Sequence, residues 1–346
     1  MRNTSPIPER GGLSRPAAMG WFVVVFLTAA LACPLWGPTP VNWAAAFSGT
    51  GADAQVFLDI RVPRVAMALL TGASLSVAGV AFQSLLGNPL ADPFTLGVAG
   101  GSSLGAVAAL LFLPSLSAQF SGTVPLAAFL GGLASVALVY GLARAARGPE
   151  AAAPLSPASL LLAGITVNYF FNALILLAFY AVDFSRSTSL MRWILGGLDV
   201  ADRSALAPAF WPSAAAFLAL WFLSPALNLL SGGEEIARSK GVNLRATILW
   251  TFLAASILTS SVTAFTGPIG FIGLMVPHAA RKFFGHDHRW LLPGSALLGG
   301  AFLALADTAA RTWFAPAELP VAALTALLGG PFFLFLLFRQ FQKKIS

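Results

Sequence analysis

Charge is the first thing this sequence lacks. Asp, Glu, Lys and Arg make up only 10% of its 346 residues, against about 25% in an ordinary soluble chain. A soluble protein of this length could not solvate its surface with so few. Cysteine is nearly absent as well: Cys33 stands alone in an apolar run, which excludes an internal disulfide framework. No GxxxxGK[ST] phosphate loop, HExxH or paired-cysteine motif occurs, so the chain does not hold a nucleotide in a Walker loop or zinc in those classes of site. The only histidines are His278, His286 and His288, the last two in "GHDHR" at a turn. His286, Asp287 and His288 offer too few ligands in rigid geometry for a metal, and a solvated turn is the expected reading. Nothing supports an enzyme active site.

What is abundant is apolar sequence, 57% of residues, with a mean hydropathy of +0.80. Stretches of about 20 apolar residues recur, the signature of spanning helices. The fold class is therefore an all-α polytopic membrane protein of about ten transmembrane helices. The spans are expected near 19–36, 63–86, 94–113, 123–143, 158–182, 206–229, 246–265, 271–284, 290–310 and 320–338. The eighth is short enough to cross only part of a bilayer. Pro, Gly and charged residues punctuate the joints, as in "LGNPLADP", "RGPEAAAPLSP" and "SGGEEIARSKG". No connector is long enough for a second domain, so one ten-helix body at 19–340 is expected between cytoplasmic tails at 1–18 and 341–346. Arg10 and Arg15 before "WFVVVFLTAALAC" mimic a signal peptide, but the many following spans favour an uncleaved first helix.

The formal net charge of +7 matters through its distribution rather than as a nucleic-acid signature. With the N-terminus inside and ten spans, the cytoplasmic segments hold fourteen cations: Arg2, Arg10, Arg15, Arg144, Arg147, Arg238, Lys240, Arg245, Arg281, Lys282, Arg289, Arg339, Lys343 and Lys344. The outer segments hold six: Arg61, Arg64, Arg186, Arg192, Arg203 and Arg311. This excess satisfies the positive-inside rule with both termini cytoplasmic, and it makes the outer arginines conspicuous.

Polar residues within the spans are sparse. Asn168 and Asn172 are four apart on one helix face, where they either line a pathway or join helices. Asp307 is the one acidic residue clearly near a span. An intramembrane carboxylate is a functional suspect by default, but Arg311 follows at i+4, within pairing reach, and favours a structural ion pair. Small-residue runs such as "TGASLSVAG" and "LGVAGGSSLGA" permit close helix packing. In "SGGEEIARSKGVN" (231–243), acids precede bases and Gly241 follows. That order suits a short helix with its macrodipole complemented and a glycine stop, either a surface turn or a lever for a cytosolic partner.

The stretch "RVPRVAMALLTGASLSVAGVAFQSLLGNPLADPFTLGVAGGSSLGA" (61–106) resembles the permeases of ABC importers for iron chelates, haem and cobalamin. So do "GGEEIARSKGV" (232–242), "GPIGFIGLMVPHAAR" (267–281), "HRWLLPGSALLGGAFLALADTAAR" (288–311) and "ELPVAALTALLGGPFF" (318–333). The match runs in order from about 57 to 338 and is loose in the N-terminal tail and near 114–155. The resemblance implies a homodimer in the bacterial inner membrane with its translocation path at the two-fold interface. Two separate cytoplasmic ATPase subunits would bind ATP and Mg, leaving this chain without a cofactor, and a periplasmic binding protein would deliver ferric siderophore, haem or cobalamin. On the family pattern Gly233, Glu234, Glu235, Ala237, Arg238 and Gly241 belong to a coupling helix that fits a cleft on the ATPase. Asn88, Pro89 and Leu90, with Ser156, Pro157 and Ala158, would form the cytoplasmic gate, although relatives carry hydroxyl residues where this chain has Pro157 and Ala158. Gln83, Asn168 and Asn172 would line the path. Arg61, Arg64 and Arg311 match outward arginines that pair with glutamates on the two lobes of the binding protein. The alternatives are an ion-coupled secondary transporter, which wants broken helices and buried ionisable groups at mid-membrane, and a non-transporting membrane scaffold.

Overall fold

The computed structural model describes residues 14–49, 51–146, 157–181, 187, 190–191, 193–199 and 202–345. Helices dominate these residues and no strand occurs among them, as expected where hydrocarbon offers the backbone no other hydrogen-bonding partner. In chain order they are α1 (Arg15–Ala32), α2 (Trp43–Ser48), α3 (Gly51–Gln55), α4 (Val62–Leu85), α5 (Val98–Phe112), α6 (Pro114–Gln119), α7 (Thr123–Ala145) and α8 (Pro157–Tyr180). These are followed by α9 (Arg203–Phe222), α10 (Ser224–Ser231), α11 (Glu234–Ser239), α12 (Leu244–Thr266), α13 (Ile272–Phe284), α14 (His288–Thr312) and α15 (Val321–Ile345).

A helix stands over each of the ten expected apolar segments. Among the described residues seven helical stretches are long and apolar enough to cross a membrane: Arg15–Leu35, Gly51–Leu85, Thr123–Ala145, Pro157–Tyr180, Arg203–Phe222, Leu244–Thr266 and His288–Thr312. Val98–Phe112 and Val321–Phe335 are shorter apolar helices. Several boundaries differ from expectation: α5 starts at Val98 rather than 94, and α15 runs to Ile345 rather than 338. α1 begins at Arg15, inside the expected tail, because Ser14 precedes a favourable Pro16 in the first turn. The second segment runs on from α3 through a π-helical turn at Val56–Arg61 into α4. The sixth breaks between α9 and α10, where Pro225 opens α10 and cannot continue a hydrogen-bonded helix.

α4, α12 and α14 are the buried centre, whereas α1, α7, α8 and α9 leave most of their surface outward. Small residues set the spacing at the centre. A Cβ on Gly79 would lie 2.0 Å from the Gly273 carbonyl oxygen, and one on Gly72 would lie 2.1 Å from that of Gly299, so α4 meets α13 and α14 backbone to backbone. Several buried hydroxyls of α12 fold back on their own helix: Ser256, Thr259 and Thr266 donate to the carbonyls of Phe252, Ala255 and Val262, whereas those of Thr251, Ser260 and Thr263 make no hydrogen bond. Side-chain oxygens of Asp202, Asn243 and Asp287 cap α9, α12 and α14 by accepting backbone N–H groups.

Candidate functional site

At the expected outer end, where α4 starts and α14 ends, charged groups converge. Arg64 donates from Nε to both oxygens of Asp307, at 3.2 and 3.0 Å, and from Nη2 to Asp307 Oδ1 at 3.0 Å. Its Nη1 donates to Glu318 Oε2 at 2.8 Å. Arg311 Nη2 donates to the Cys33 carbonyl at 2.7 Å and to Thr308 Oγ1 at 3.3 Å, with its Nε 3.6 Å from Asp307 Oδ2. Arg61 donates to the carbonyls of Leu35 and Thr39. Gly37 makes room for it, since a Cβ there would lie 2.5 Å from the guanidinium carbon.

The three arginines matched to outward docking positions are thus all partnered within the chain. Arg61, Arg64 and Arg311 are 3%, 8% and 2% exposed, and Asp307 is 0% exposed. A guanidinium withdrawn from water must find anions and carbonyls to replace its hydration; these three find them within the chain, although the Nε of Arg311 is left without a hydrogen bond. Asp307 does pair with Arg311, as the i+4 spacing suggested, but its closer partner is Arg64. Arg64 also lines a depression of about 370 Å³ at this end, together with Leu195–Asp199 and Glu318–Val321. Glu318, with a side chain 39% exposed, stands at its edge. Arg203 remains a surface cation, paired with Asp59 at 3.4 Å; Arg186 and Arg192 lie outside the described residues.

At the expected inner end, α11 is the short helix that the charge order called for. Gly233 and Gly241 adopt φ of +117° and +81°, values that favour glycine. Glu234 and Glu235 occupy its first turn and Arg238 its last; Glu234 and Arg238 approach to 4.0 Å. Ala237 is fully buried and anchors the helix in the main apolar core, while Ile236 is half-exposed. The face away from Ala237 is open to a partner.

The turn between α4 and α5 holds Asn88, Pro89 and Leu90. Asn88 Oδ1 accepts from the Leu90 amide at 3.0 Å, and Asp92 Oδ1 accepts from the Phe94 amide at 3.0 Å. Burial pushes the Asp92 carboxyl up to about 6, opposed by that amide. Pro157 and Ala158 open α8; Ser156 lies outside the described residues. Gln83 does not line open space: it is buried, and its amide donates to the Gly273 carbonyl at 3.0 Å, tying α4 to α13. Asn168 packs over Gly100, where a Cβ would lie 2.3 Å from its Oδ1, so it serves the α5–α8 contact. Asn172 is exposed on α8.

The solvated-turn reading of "GHDHR" holds for His286 but not for His288. His288 is 2% exposed. Asn228 of α10 accepts at Oδ1 from the His288 amide at 2.8 Å and lies 2.6 Å from its Nδ1, while its Nδ2 donates to Asp287 Oδ1 at 2.9 Å. The other ring nitrogen of His288, Nε2, contacts Ser84 Oγ in the last turn of α4, and Arg15 of α1 pairs with Asp287 at 3.4 Å. Burial, which raises the Asp287 pKa, is outweighed by the Asn228 hydrogen bond, the Arg289 amide and the neighbouring arginines, which hold it below the usual carboxylate range. Among the described residues no group of three or more His, Cys, Asp or Glu is placed to hold a metal ion. The sequence signal for this cluster was Asn228 itself, the one amide in the apolar run "SPALNLL".

The sequence from Phe22 to Arg339 matches the FecCD transport family, residues 22–339. The chain belongs to the FecCD transport family. The hemin transport system permease protein of Yersinia pestis is 38% identical over 331 residues, covering 94% of this chain and 96% of that protein. The Fe(3+) dicitrate transport system permease protein FecD of Escherichia coli is 38% identical over 92% of this chain and 98% of its own length. The cobalamin import system permease protein BtuC of Halobacterium salinarum is 39% identical over 87% and 79%. A solved structure described as an inward-facing conformation of a putative metal-chelate type ABC transporter superposes with a TM-score of 0.80 at 30% identity, covering 94% of this chain and 99% of that one. This FecCD member is thus similar to ABC permeases along nearly its whole length.

Proposed function

We propose that this chain is the membrane permease subunit of an ATP-driven importer that moves a bulky metal chelate (ferric siderophore, haem or cobalamin) from a periplasmic binding protein into the cytoplasm of a bacterium. Two copies pair in the inner membrane, each crossing ten times with both termini inside, and two separate ATPase subunits supply the energy. The carrying observation is α11: an exposed six-residue helix, bounded by left-handed glycines and seated by Ala237, in a chain that has no phosphate loop of its own. Such a helix moves with the permease core while offering Glu234, Glu235, Ile236 and Arg238 to a cleft on the ATPase. The partners and the chelate class rest on the named relatives.

Docking of the binding protein follows a modified route. The rim of the depression over Arg64 is closed by a half-exposed carboxylate, Glu318. A glutamate from the binding protein takes the place of Glu318 on Arg64 Nη1, with Arg61 and Arg311 adding positive potential beneath. Long-range charge of this kind steers and registers the encounter more than it adds affinity. The chelate meets mainly apolar and small side chains along the dimer path, with Asn172 exposed on α8 and Asn88, Pro89, Leu90, Ser156, Pro157 and Ala158 at the gate.

The test is a photo-crosslinker placed at Ile236 in the assembled transporter. Capture of the ATPase subunit is the expected result, with loss of capture when Glu235 is changed to Arg. Crosslinking that never yields a nucleotide-hydrolysing partner removes the coupling role and leaves α11 a surface turn.

A further inference from the structure

The cluster around His288 joins elements that the transport cycle must move together. α10 is separated from α11 only by Gly232 and Gly233, whose amides donate back to the carbonyls of Leu229 and Leu230. The two short helices therefore form one hairpin, and Ala237 and Leu230 share the core cluster beneath it. Asn228 lies two turns before α11 and makes three contacts, to the His288 amide, His288 Nδ1 and Asp287 Oδ1. On its far side the same imidazole meets Ser84. Ser84 stands four residues before Asn88, at the start of the turn read above as the gate.

We infer that Asn228 and His288 are positioning residues that transmit displacement of the α10–α11 hairpin to the Asn88–Leu90 turn through Ser84. The inference rests on the permease reading. Its chemistry is specific. Asn228 Oδ1 accepts two N–H groups, which requires the proton of a neutral imidazole to sit on Nδ1 and leaves Nε2 as an acceptor for the Ser84 hydroxyl, whose single proton has the Val80 carbonyl at 2.8 Å as its other acceptor. The ring is thereby held at Nδ1 by Asn228 and meets Ser84 at Nε2. A buried link of this kind, satisfied at each end, transmits movement, because breaking it strands polar groups away from water. Arg15 ties α1 to the same point through Asp287 at an exposed, weaker contact, so α1 is a follower rather than part of the relay.

The experiment uses the complete transporter in proteoliposomes. Asn228→Ala, His288→Ala and Ser84→Ala are each compared with wild type for ATPase binding, basal ATP hydrolysis and chelate moved per ATP. Assembly and basal hydrolysis are expected to persist, and transport per ATP to fall roughly three- to thirtyfold, the span of typical coupling free energies. The Asn228→Ala/His288→Ala double variant is expected to be no worse than the poorer single, because both break one link. Asn228→Asp keeps the Oδ1 acceptor but confronts Asp287, and it is expected to be impaired as well. Spin labels at Ile236→Cys and Pro89→Cys give a second readout: their separation should change little on ATP binding in otherwise native protein and spread widely in Asn228→Ala. Unchanged transport per ATP in all three single variants, or an unchanged label distribution in Asn228→Ala, overturns the relay. Wild-type uptake that is independent of ATP overturns instead the permease reading on which it rests.

Discussion

Replacing Asp307 with Asn probes the most deeply buried charge among the described residues. Its side chain is fully buried, with one guanidinium at 3.0 Å and another at 3.6 Å. The amide keeps the shape and removes the charge, so Arg311 loses its anion and Arg64 retains only Glu318 at the rim. Removing one partner of a buried ion pair costs about 3–5 kcal/mol, since the survivor stays desolvated and uncompensated. At a response of about 2–4 °C per kcal/mol for chains of 150–250 residues, somewhat less for longer ones, the melting temperature should fall by about 5–15 °C. The assay is fluorescence-monitored thermal unfolding of the purified protein in one detergent. Asp59→Asn is the internal control. It breaks the 3.4 Å pair with Arg203, whose partners are both more than half exposed, and exposed pairs contribute at most about 1 kcal/mol. A shift for Asp307→Asn no larger than that of Asp59→Asn would show that the buried cluster does not hold α4 to α14.

Three further outcomes are expected. Gly79→Ala drives a Cβ to 2.0 Å from the Gly273 carbonyl, so α4 and α13 must part and the melting point should drop by several degrees, as overpacking costs about 1–3 kcal/mol; Gly141→Ala, with nothing within 4 Å, should be silent in the same assay. The Asp92 carboxyl is raised from 3.8 to about 6, so its neutral form is favoured in the fold, and its contribution is full below pH 4 and lost as pH rises through 6. Asp92→Asn keeps the Oδ1 acceptor for the Phe94 amide and should therefore stabilise the protein at pH 7.5, by an amount on the order of 3 kcal/mol at most, with the advantage gone at pH 4 in melting curves run at both values. Glu318→Gln frees Arg64 Nη1 and should tighten docking of the binding protein about two- to fivefold at low salt, an increase that 0.5 M salt erases in surface-binding measurements; weaker docking would reject the exchange of carboxylates on Arg64.

Much of the architecture was legible because hydrophobic length is a local property. The segment expected at 271–284 coincides with α13 at Ile272–Phe284, and glycine and charge order alone located α11. The charged clusters were legible only in part, because their partners are distant in sequence. Spacing could offer Arg311 to Asp307 at i+4, but the nearer partner, Arg64, is 243 residues away. "GHDHR" looked solvated because Asn228 and Ser84, which enclose His288, lie 60 and 204 residues from it. Gln83 resembled a path-lining residue because an amide in a span has two uses, and only the approach of Gly273 reveals which one applies here. The partners of the outer arginines are hidden for a related reason: side-chain charge is visible in sequence, whereas the backbone carbonyls of Cys33, Leu35 and Thr39 that receive Arg311 and Arg61 are not.

The central claim is that this chain conducts a metal chelate only when a separate ATPase drives it. The most direct measurement is uptake of radiolabelled ferric siderophore, haem or cobalamin into proteoliposomes holding the permease, its ATPase and the loaded binding protein. Uptake that requires ATP on the ATPase side and survives collapse of all ion gradients is the predicted result. Uptake that proceeds without the ATPase and stops when the ion gradient is collapsed would contradict it.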